Sequence, residues 1–505
     1  MKRAILFFIA IGSLNIVLAQ EQKAFYNVKE LGAKGNGTTS DTKMVNKAIE
    51  DAAAAGGGTI YFPAGNYLLG SVRLKSNICL FIGQGATLIA SSDSTEFDQP
   101  EQSVNDTYQD YGHSHWHNSF IWGEKIHDVS IVGTGMIWGK GLVRNGRKGD
   151  MKPNKSIALL NCRNVILKDF SILHGGWFAL LATGVDNLTI DNLKVDTNRD
   201  GFDIDCCKNV RVSNCTVNSP FDDGICLKSS FGLGYAKPTE NVTITNCQVS
   251  GYDEGTLLDG TFKREYKRYS DSSATGRIKF GTESNGGFKN ITISNCVFEY
   301  CRGLALETVD GALLEDVTIS NITMRDILNA PIFIRLGARM RGPDTIPVGH
   351  CRRIIIQNLV AWNVDSRHGA IISGLPGHDI EDLQLSNIKI YYKGGGPKDS
   401  INRIVSEYEK DYPEPGPWRI MPSYGFFIRH AKNVKLTDVE VSYMKEDGRP
   451  PFMLDDVKGA ELRYIKAQKA NGTPGIVLKN VTDVSIQQVQ GIKDINLKSS
   501  EKKTL

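Results

Sequence analysis

Three carboxylates stand at a regular spacing in the stretch NRDGFDIDCCKNVRVSNCTVNSPFDDGICLKS, residues 198–229. Asp200 lies 13 residues after Asn187, and Asp222 lies 13 residues after Asn209, with Asp223 directly following. If Asn187 and Asn209 open successive turns of a solenoid, Asp200 and Asp222 share one phase and stack at the spacing of paired strands, about 4.8 Å. Pro220 and Gly224 flank the acidic pair and predict a tight bend that turns both side chains outward. Carboxylates packed this closely cannot all ionise, so one must hold its proton. A protonated carboxyl beside ionised ones is the equipment for cleaving a glycosidic bond, one group protonating the leaving oxygen while the others activate water.

The elements that position these groups are read from a recurring phrase. It runs NVILKDFSI from Asn164, NLTIDNLKV from Asn187, NVRVSNCTV from Asn209 and NVTITNCQV from Asn241. It continues as NITISNCVF from Asn290, DVTISNITM from Asp316, DLQLSNIKI from Asp382 and NVKLTDVEV from Asn433. Apolar residues alternate within each copy and a polar break sits in the middle, the pattern of two strands joined by a bend. Units of 22 or 23 residues without a helical period suit coils of a right-handed parallel β-helix. The sixth position is mostly Asn (Asn192, Asn214, Asn246, Asn295, Asn321, Asn387), which predicts side-chain hydrogen bonds running from coil to coil. Longer gaps between copies predict inserted loops, and loops gathered on one face often build a site. A leucine-rich horseshoe and a β-propeller are excluded by the absent Leu pattern and by the short repeat.

The N-terminal region differs. MKRAILFFIAIGSLNIVLAQ, with Lys2 and Arg3, an apolar run to Leu18 and small Ala19, has the form of a signal peptide over residues 1–20. The expectation is an exported protein, periplasmic or secreted, with no membrane span. Residues 21–505 then read as one β-helix domain, of which 22–95 form the N-terminal cap and first coils. Within the cap, Thr39 to Ala55 predicts an amphipathic helix with Asp41 near its N-cap and Met44, Val45, Ala48 and Ala52 turned inward. The charged EKKTL terminus predicts a frayed end. A net charge of +3 over 505 residues, without a basic tail, argues against nucleic acid as a partner. The ten cysteines fall mostly at apolar strand positions and read as small buried hydrophobes. Trp177, 13 residues after Asn164, predicts an aromatic platform for a sugar face at the phase of Asp200.

These motifs resemble those of the polygalacturonase-like glycosidases, glycoside hydrolase family 28, over nearly the whole mature length. GAKGNGTTSDT with GGGTIYFPAGNYLLGSVRLKSNICL, and IWGEKIHDVSIVGTGMIWGKG, are similar to the family's first coils. NRDGFDID resembles its Asn-Thr-Asp-Gly-(Phe/Ile)-Asp motif, with Arg199 in place of Thr, and FDDGICLKS resembles Asp-Asp-Cys-Ile-Ala-Ile-Lys-Ser. The resemblance implies an inverting hydrolase without cofactor or metal, with Asp222 as general acid and Asp200 with Asp223 activating the water. Asn198 and Lys228, from the same motifs, are carried over as substrate-binding candidates with Trp177.

Two family elements are absent. The family's Gly-His-Gly corresponds to ATGRIKFGTES, where no His stands, and its Arg-Gly-Leu-Arg-Ile-Lys-Ser to RGLALET, where Ala305 and Glu307 replace the basic pair. In the polygalacturonases that pair is taken to hold the substrate carboxylate, as cations grip carboxylates. Rhamnogalacturonan hydrolases of the family also lack the His. A pectin-type polysaccharide from plant cell wall is therefore expected, cleaved at a rhamnogalacturonan or neutral-sugar linkage rather than in plain homogalacturonan. Arg277, Lys279, Glu283 and Glu307 join the substrate-binding candidates, and a monomer is expected.

Weaker candidates are HSHWH, whose His113, His115 and His117 would share one face of a strand, and the Tyr- and Arg-rich insert after residue 251. RLGARMRGP (Arg335, Arg339, Arg341) is a possible anion contact, and PEPGPWRIMPSYGFFIRH is expected to edge the cleft with Trp418 exposed. A calcium-dependent polysaccharide lyase and a non-catalytic glycan-binding β-helix are the alternatives.

Overall fold

The structure, a computed structural model, describes residues 24–102, 107–145, 152–265, 274–343 and 346–505. The expected signal peptide lies outside the described residues. The chain winds as a parallel β-helix whose coils each contribute strands to three long faces. One face holds Ile121–Glu124, Lys155–Leu160, Phe178–Thr183, Asp200–Asp205, Ile225–Ser229, Ile278–Ser284 and Leu304–Thr308, paired in parallel in that order. We call it the site face. The second face carries the repeated phrase, for example Asp186–Asp191 on Lys208–Ser213, and the third carries Lys194–Asp196 on Thr216–Asn218.

Alternation turns one apolar residue of each pair into a continuous core, so that Leu188, Val210, Val242 and Ile291 stack in one column with no more than 1% exposure each. Burial of such columns is the driving term of the fold. The bends are held by Asn in the left-handed region, with Asn246, Asn295, Asn321 and Asn387 at φ between 51° and 56°. Asn tolerates this conformation because its side chain bonds locally. The expected ladder is present: Asn246 Nδ2 donates to Asn214 at 3.3 Å, Asn295 to Asn246 at 3.2 Å and Asn321 to Asn295 at 2.9 Å. A second ladder, not anticipated, runs through the first residue of each phrase, from Asn187 on Asn164 at 2.9 Å to Asn290 on Asn241 at 2.7 Å.

The N-terminal helix is Thr42–Ala54, and it buries Val45, Ala48, Ile49 and Ala52. Met44, expected inside, is on the outer side at 37% exposure because Ile49 completes the apolar stripe instead. The Asp41 carboxylate does not cap the helix but accepts from the backbone N–H groups of Lys34 and Gly35 at 2.6 and 2.9 Å. The C-terminus also departs from expectation. Ile495–Thr504 pairs antiparallel with Ile476–Gln487, so the charged tail covers the last open strand edge rather than fraying. All ten cysteines are free, and nine of them are buried.

Candidate active site

The register of the site face places the carboxylates. Phe178 pairs with Asp200, an offset of 22, while Phe202 pairs with Ile225, an offset of 23. On the neighbouring third face Asp196 still pairs with Asn218 at an offset of 22. The turn between Asn218 and Ile225 therefore holds one additional residue, and equal sequence phase shifts by one position there. Asp223 thus comes level with Asp200, its carbonyl accepting the Gly201 N–H at 3.0 Å. Asp222 meets Arg199, and Arg199 in turn lies on Trp177, its guanidinium 5.1 Å from the ring centre. Trp177 consequently belongs to the column of Arg199 and Asp222 rather than to that of Asp200.

One oxygen from each of Asp200, Asp222 and Asp223 lies within 4.8 Å of the others, the only such carboxylate, thiol or imidazole cluster among the described residues. Their surroundings differ. Asp200 is buried, and burial together with the charges of Asp222 and Asp203 drives its carboxyl well above the ordinary range. Asp223 is equally buried, yet Lys279, Arg277 and Lys228 outweigh burial and hold it below the ordinary range. Arg277 Nε donates to Asp223 Oδ1 at 2.8 Å, and Lys279 Nζ is 3.4 Å from Oδ2. The Asp222 side chain keeps 24% exposure, accepts from the Asp223 backbone N–H at 3.1 Å and pairs with Arg199.

The remaining expected residues gather behind this trio as paired charges. Glu307 is fully buried 3.8 Å from Arg277 Nη2 and 3.5 Å from Lys279 Nζ. Burial outweighs these two cations and pushes its carboxyl up to about 7. Lys228 Nζ donates to Glu283 at 3.0 Å and faces Asp203 at 3.8 Å. Glu283 is held below the ordinary range because Lys228, His113, Arg339 and Arg341 outweigh its burial. Asn198 is nearly buried, and its carbonyl accepts the Phe221 N–H at 3.0 Å, which fixes the acidic turn. The cations Arg277 and Lys279 are thus consumed by carboxylates of the protein, and Ala305, level with Lys279, adds no charge.

The stretch from Pro413 does edge the site as expected, but two contributors were not singled out in the sequence. The segment inserted between Gly394 and Phe426 returns to the site face, where Tyr412 OH lies 3.1 Å from Lys279 Nζ. Glu414 from the same segment pairs with Arg277 and with Arg302 Nη1 at 3.0 Å. The only signal was an acidic and aromatic pair, YPE, inside a gap too long for one coil. The segment is anchored by Trp418, which is 4% exposed rather than exposed as expected. Arg335 and Arg429 sit over its ring at 5.3 and 5.5 Å, and its Nε1 donates to the Ser406 carbonyl at 2.8 Å.

Three other expectations are corrected. The HSHWH imidazoles do not share a strand face: His113 lies in the short turn Tyr111–Ser114 with Nε2 2.8 Å from Asp203, His115 bonds the Tyr111 carbonyl, and His117 bonds Glu124 at 2.9 Å. Arg264 of the insert does not reach the cleft but pairs with Glu299 and Asp326 at 2.8 and 2.7 Å, and Tyr266, Arg268 and Tyr269 lie outside the described residues. Arg335 is buried on Ser373 and backbone carbonyls, and Arg339 on Asp310, so neither is an open anion contact.

Comparison with known proteins bears on the fold and the class of enzyme. Residues 25–159 match a family model described as "Rhamnogalacturonase A/epimerase, pectate lyase-like", and residues 152–262 match "Right handed beta helix region". A "Probable polygalacturonase" of Vitis vinifera is 25% identical over 72% of this chain and 73% of its own length. These relatives support a polygalacturonase-like glycoside hydrolase. Two solved exopolygalacturonases share its fold. That of Thermotoga maritima has a TM-score of 0.61 at 17% identity, covering 96% of this chain and 95% of its own. That of Yersinia enterocolitica has a TM-score of 0.64 at 16% identity, covering 86% and 78%.

Proposed function

We propose that this glycoside hydrolase degrades a pectin-type polysaccharide by inverting hydrolysis, with Asp222 as general acid and Asp200 and Asp223 activating the attacking water. The supporting observation is the trio itself, three carboxyls within 4.8 Å of which one is driven to hold a proton and another to stay ionised. In the reaction Asp222 gives its proton to the leaving glycosidic oxygen as the C–O bond breaks. Water attacks the anomeric carbon from the opposite face and leaves its proton on the Asp200–Asp223 pair. The spacing is tighter than the gap of about 6.5–9.5 Å through which a two-carboxylate inverting site admits water. The water is therefore held from one side by two carboxylates, not between one acid and one base. Arg199, Arg277 and Lys279 already supply the positive charge this cluster needs, so the reading requires no cofactor.

The preferred linkage follows from the neighbouring coil. With Ala305 uncharged, Arg277 and Lys279 engaged, and Glu307 buried beside them, that side of the trio offers no free cation to a substrate carboxylate among the described residues. It suits a neutral sugar, and the substrate is rhamnogalacturonan or another neutral-sugar linkage rather than homogalacturonan. The leader-like N-terminus supports export, and we take the protein to act as a monomer outside the cytoplasm on plant-cell-wall polysaccharide. The test is incubation with rhamnogalacturonan, homogalacturonan and galactan oligosaccharides, products being identified by mass. Hydrolysis of the first is expected, whereas galacturonate released from homogalacturonan at a comparable rate overturns the specificity.

A further inference from the structure

Arg199 stands where the motif that this stretch resembles carries Thr. Its side chain retains 31% exposure at the edge of the trio, while every other cation touching these carboxylates is almost fully buried. Its flat guanidinium lies over Trp177 at 5.1 Å, which fixes the plane and leaves the N–H edge to face carboxylates. That edge is only partly used. Nε, at 3.2 Å, and Nη2 both converge on the single oxygen Oδ2 of Asp222. A guanidinium has five donors in a fork matched to two carboxylate oxygens, so this is an incomplete version of the contact it makes best.

The contact also opposes the chemistry assigned to Asp222. Oδ2 accepts both guanidinium bonds and Oδ1 accepts the Asp223 N–H, whereas an acid needs an oxygen free to carry its proton. Asp200 is buried and crowded by Asp222 and Asp203, which drives its carboxyl well above the ordinary range. The charges facing this pair are Asp200 and Asp223 from the site face, Tyr412 from the inserted segment, and Asp110, which faces Arg199 from the N-terminal side. None of these groups is a cation, so none can replace Arg199 as the counter-charge of Asp222.

We propose that Arg199 is a substrate-operated latch and the reader of an anionic sugar: a uronate carboxylate bound at the Trp177 side draws the guanidinium edge off Asp222, and Asp222 then takes the proton from Asp200. The step balances internally. An O–H bond breaks on Asp200 and forms on Asp222, leaving Asp222 as the acid and Asp200 and Asp223 as the ionised pair that activates water. The inference rests on the hydrolase reading above and extends it. Ala305 and Glu307 are fully buried and Trp177 is 7% exposed, so the exposed edge of Arg199 is what meets the uronate.

The test uses the full-length enzyme and two substrates, an alternating galacturonate–rhamnose oligosaccharide and the same oligosaccharide with its carboxyls reduced to alcohols. Wild type is expected to prefer the charged form in kcat/KM by roughly 10- to 100-fold, the worth of a charge-assisted bond. Arg199→Thr should lower that preference to within about 3-fold, chiefly through loss on the charged substrate. It should also raise kcat on the reduced one, because Asp222 no longer has to be released. Arg199→Lys should recover part of the preference for charge but not the geometry. Binding of galacturonate oligomers to Asp222→Asn enzyme, with and without Arg199→Thr, supplies a readout that needs no turnover, and a tighter fit with Arg199 present is expected. An Arg199→Thr enzyme that keeps the full preference, or uronate binding that ignores Arg199, overturns the latch while leaving the hydrolase reading intact. Wild-type enzyme that hydrolyses neither substrate nor any pectin oligosaccharide overturns that reading instead.

Discussion

Replacing Arg277 with Met tests how the site keeps Asp223 ionised. Arg277 is 2% exposed, donates through Nε to Asp223 Oδ1 at 2.8 Å, pairs with Glu414 and lies 3.8 Å from Glu307. Met fills a similar volume but leaves Asp223 to Lys279 and Glu414 to Arg302, and weakening a buried pair in this way costs up to about 3–5 kcal/mol. For a chain of 505 residues, an unfolding entropy near 2.1 cal/mol/K per residue gives about 1 kcal/mol/K, hence a Tm lower by roughly 3–5 °C. The sign with pH is fixed. Asp223 and Glu414 are both held below their ordinary range, so their contribution is full above the unfolded carboxylate pKa, about 4, and is lost as pH falls through the folded values. The stability gap between wild type and Arg277→Met should therefore be widest near neutrality and narrow in acid. In activity, the acid limb of kcat/KM should move to higher pH by about one to three pH units as Asp223 loses its nearest cation. Scanning calorimetry and initial rates between pH 3 and 8, taken as roughly the working range, supply both readings. An unchanged Tm together with an unmoved acid limb would refute the claim that Arg277 sets the charge of Asp223.

Further outcomes follow from other parts of the structure. Asp200→Asn and Asp223→Asn should each lower kcat by roughly 100-fold or more while substrate still binds, measured by single-turnover rates and calorimetry. Trp418→Ala should cost about 3–5 kcal/mol and loosen the inserted segment, so that proteolysis near residues 395–425 accelerates and kcat falls as Tyr412 and Glu414 lose their positions. Asn321→Ala removes the ladder bonds at 2.9 and 3.0 Å to Asn295 and from Asn358 and leaves Ala at φ 56°, for a loss of roughly 2–3 kcal/mol in urea unfolding. Chelator should leave the rate unchanged, and activity that disappears with chelator and returns with calcium would favour the lyase alternative.

Much of the fold was legible because a solenoid repeats its instructions. The alternation in eight copies of one phrase set the strands, and Asn at the left-handed bends foretold the ladder. The trio was legible too, but not its register. Counting from Asn187 and Asn209 aligned Asp222 with Asp200, whereas the residue added between Asn218 and Ile225 aligns Asp223 instead. A turn can absorb one residue without disturbing either flanking repeat, so no periodicity reports it. The partners of Arg277 were hidden for another reason: Glu414 lies 137 residues away on an insertion, and nothing local ties the two. Trp418 misled because Pro and Gly around it read as a surface loop, while two arginines from neighbouring coils cover its ring.

The central claim, direct attack of water assisted by three carboxylates, is tested most directly by the anomeric form of the first product. Proton NMR of the reaction in its opening minutes, before mutarotation, should show the anomer opposite to that of the cleaved linkage. A first product that retains the configuration would point to a covalent intermediate on one Asp, and an unsaturated sugar would point to elimination. Either result would contradict the account.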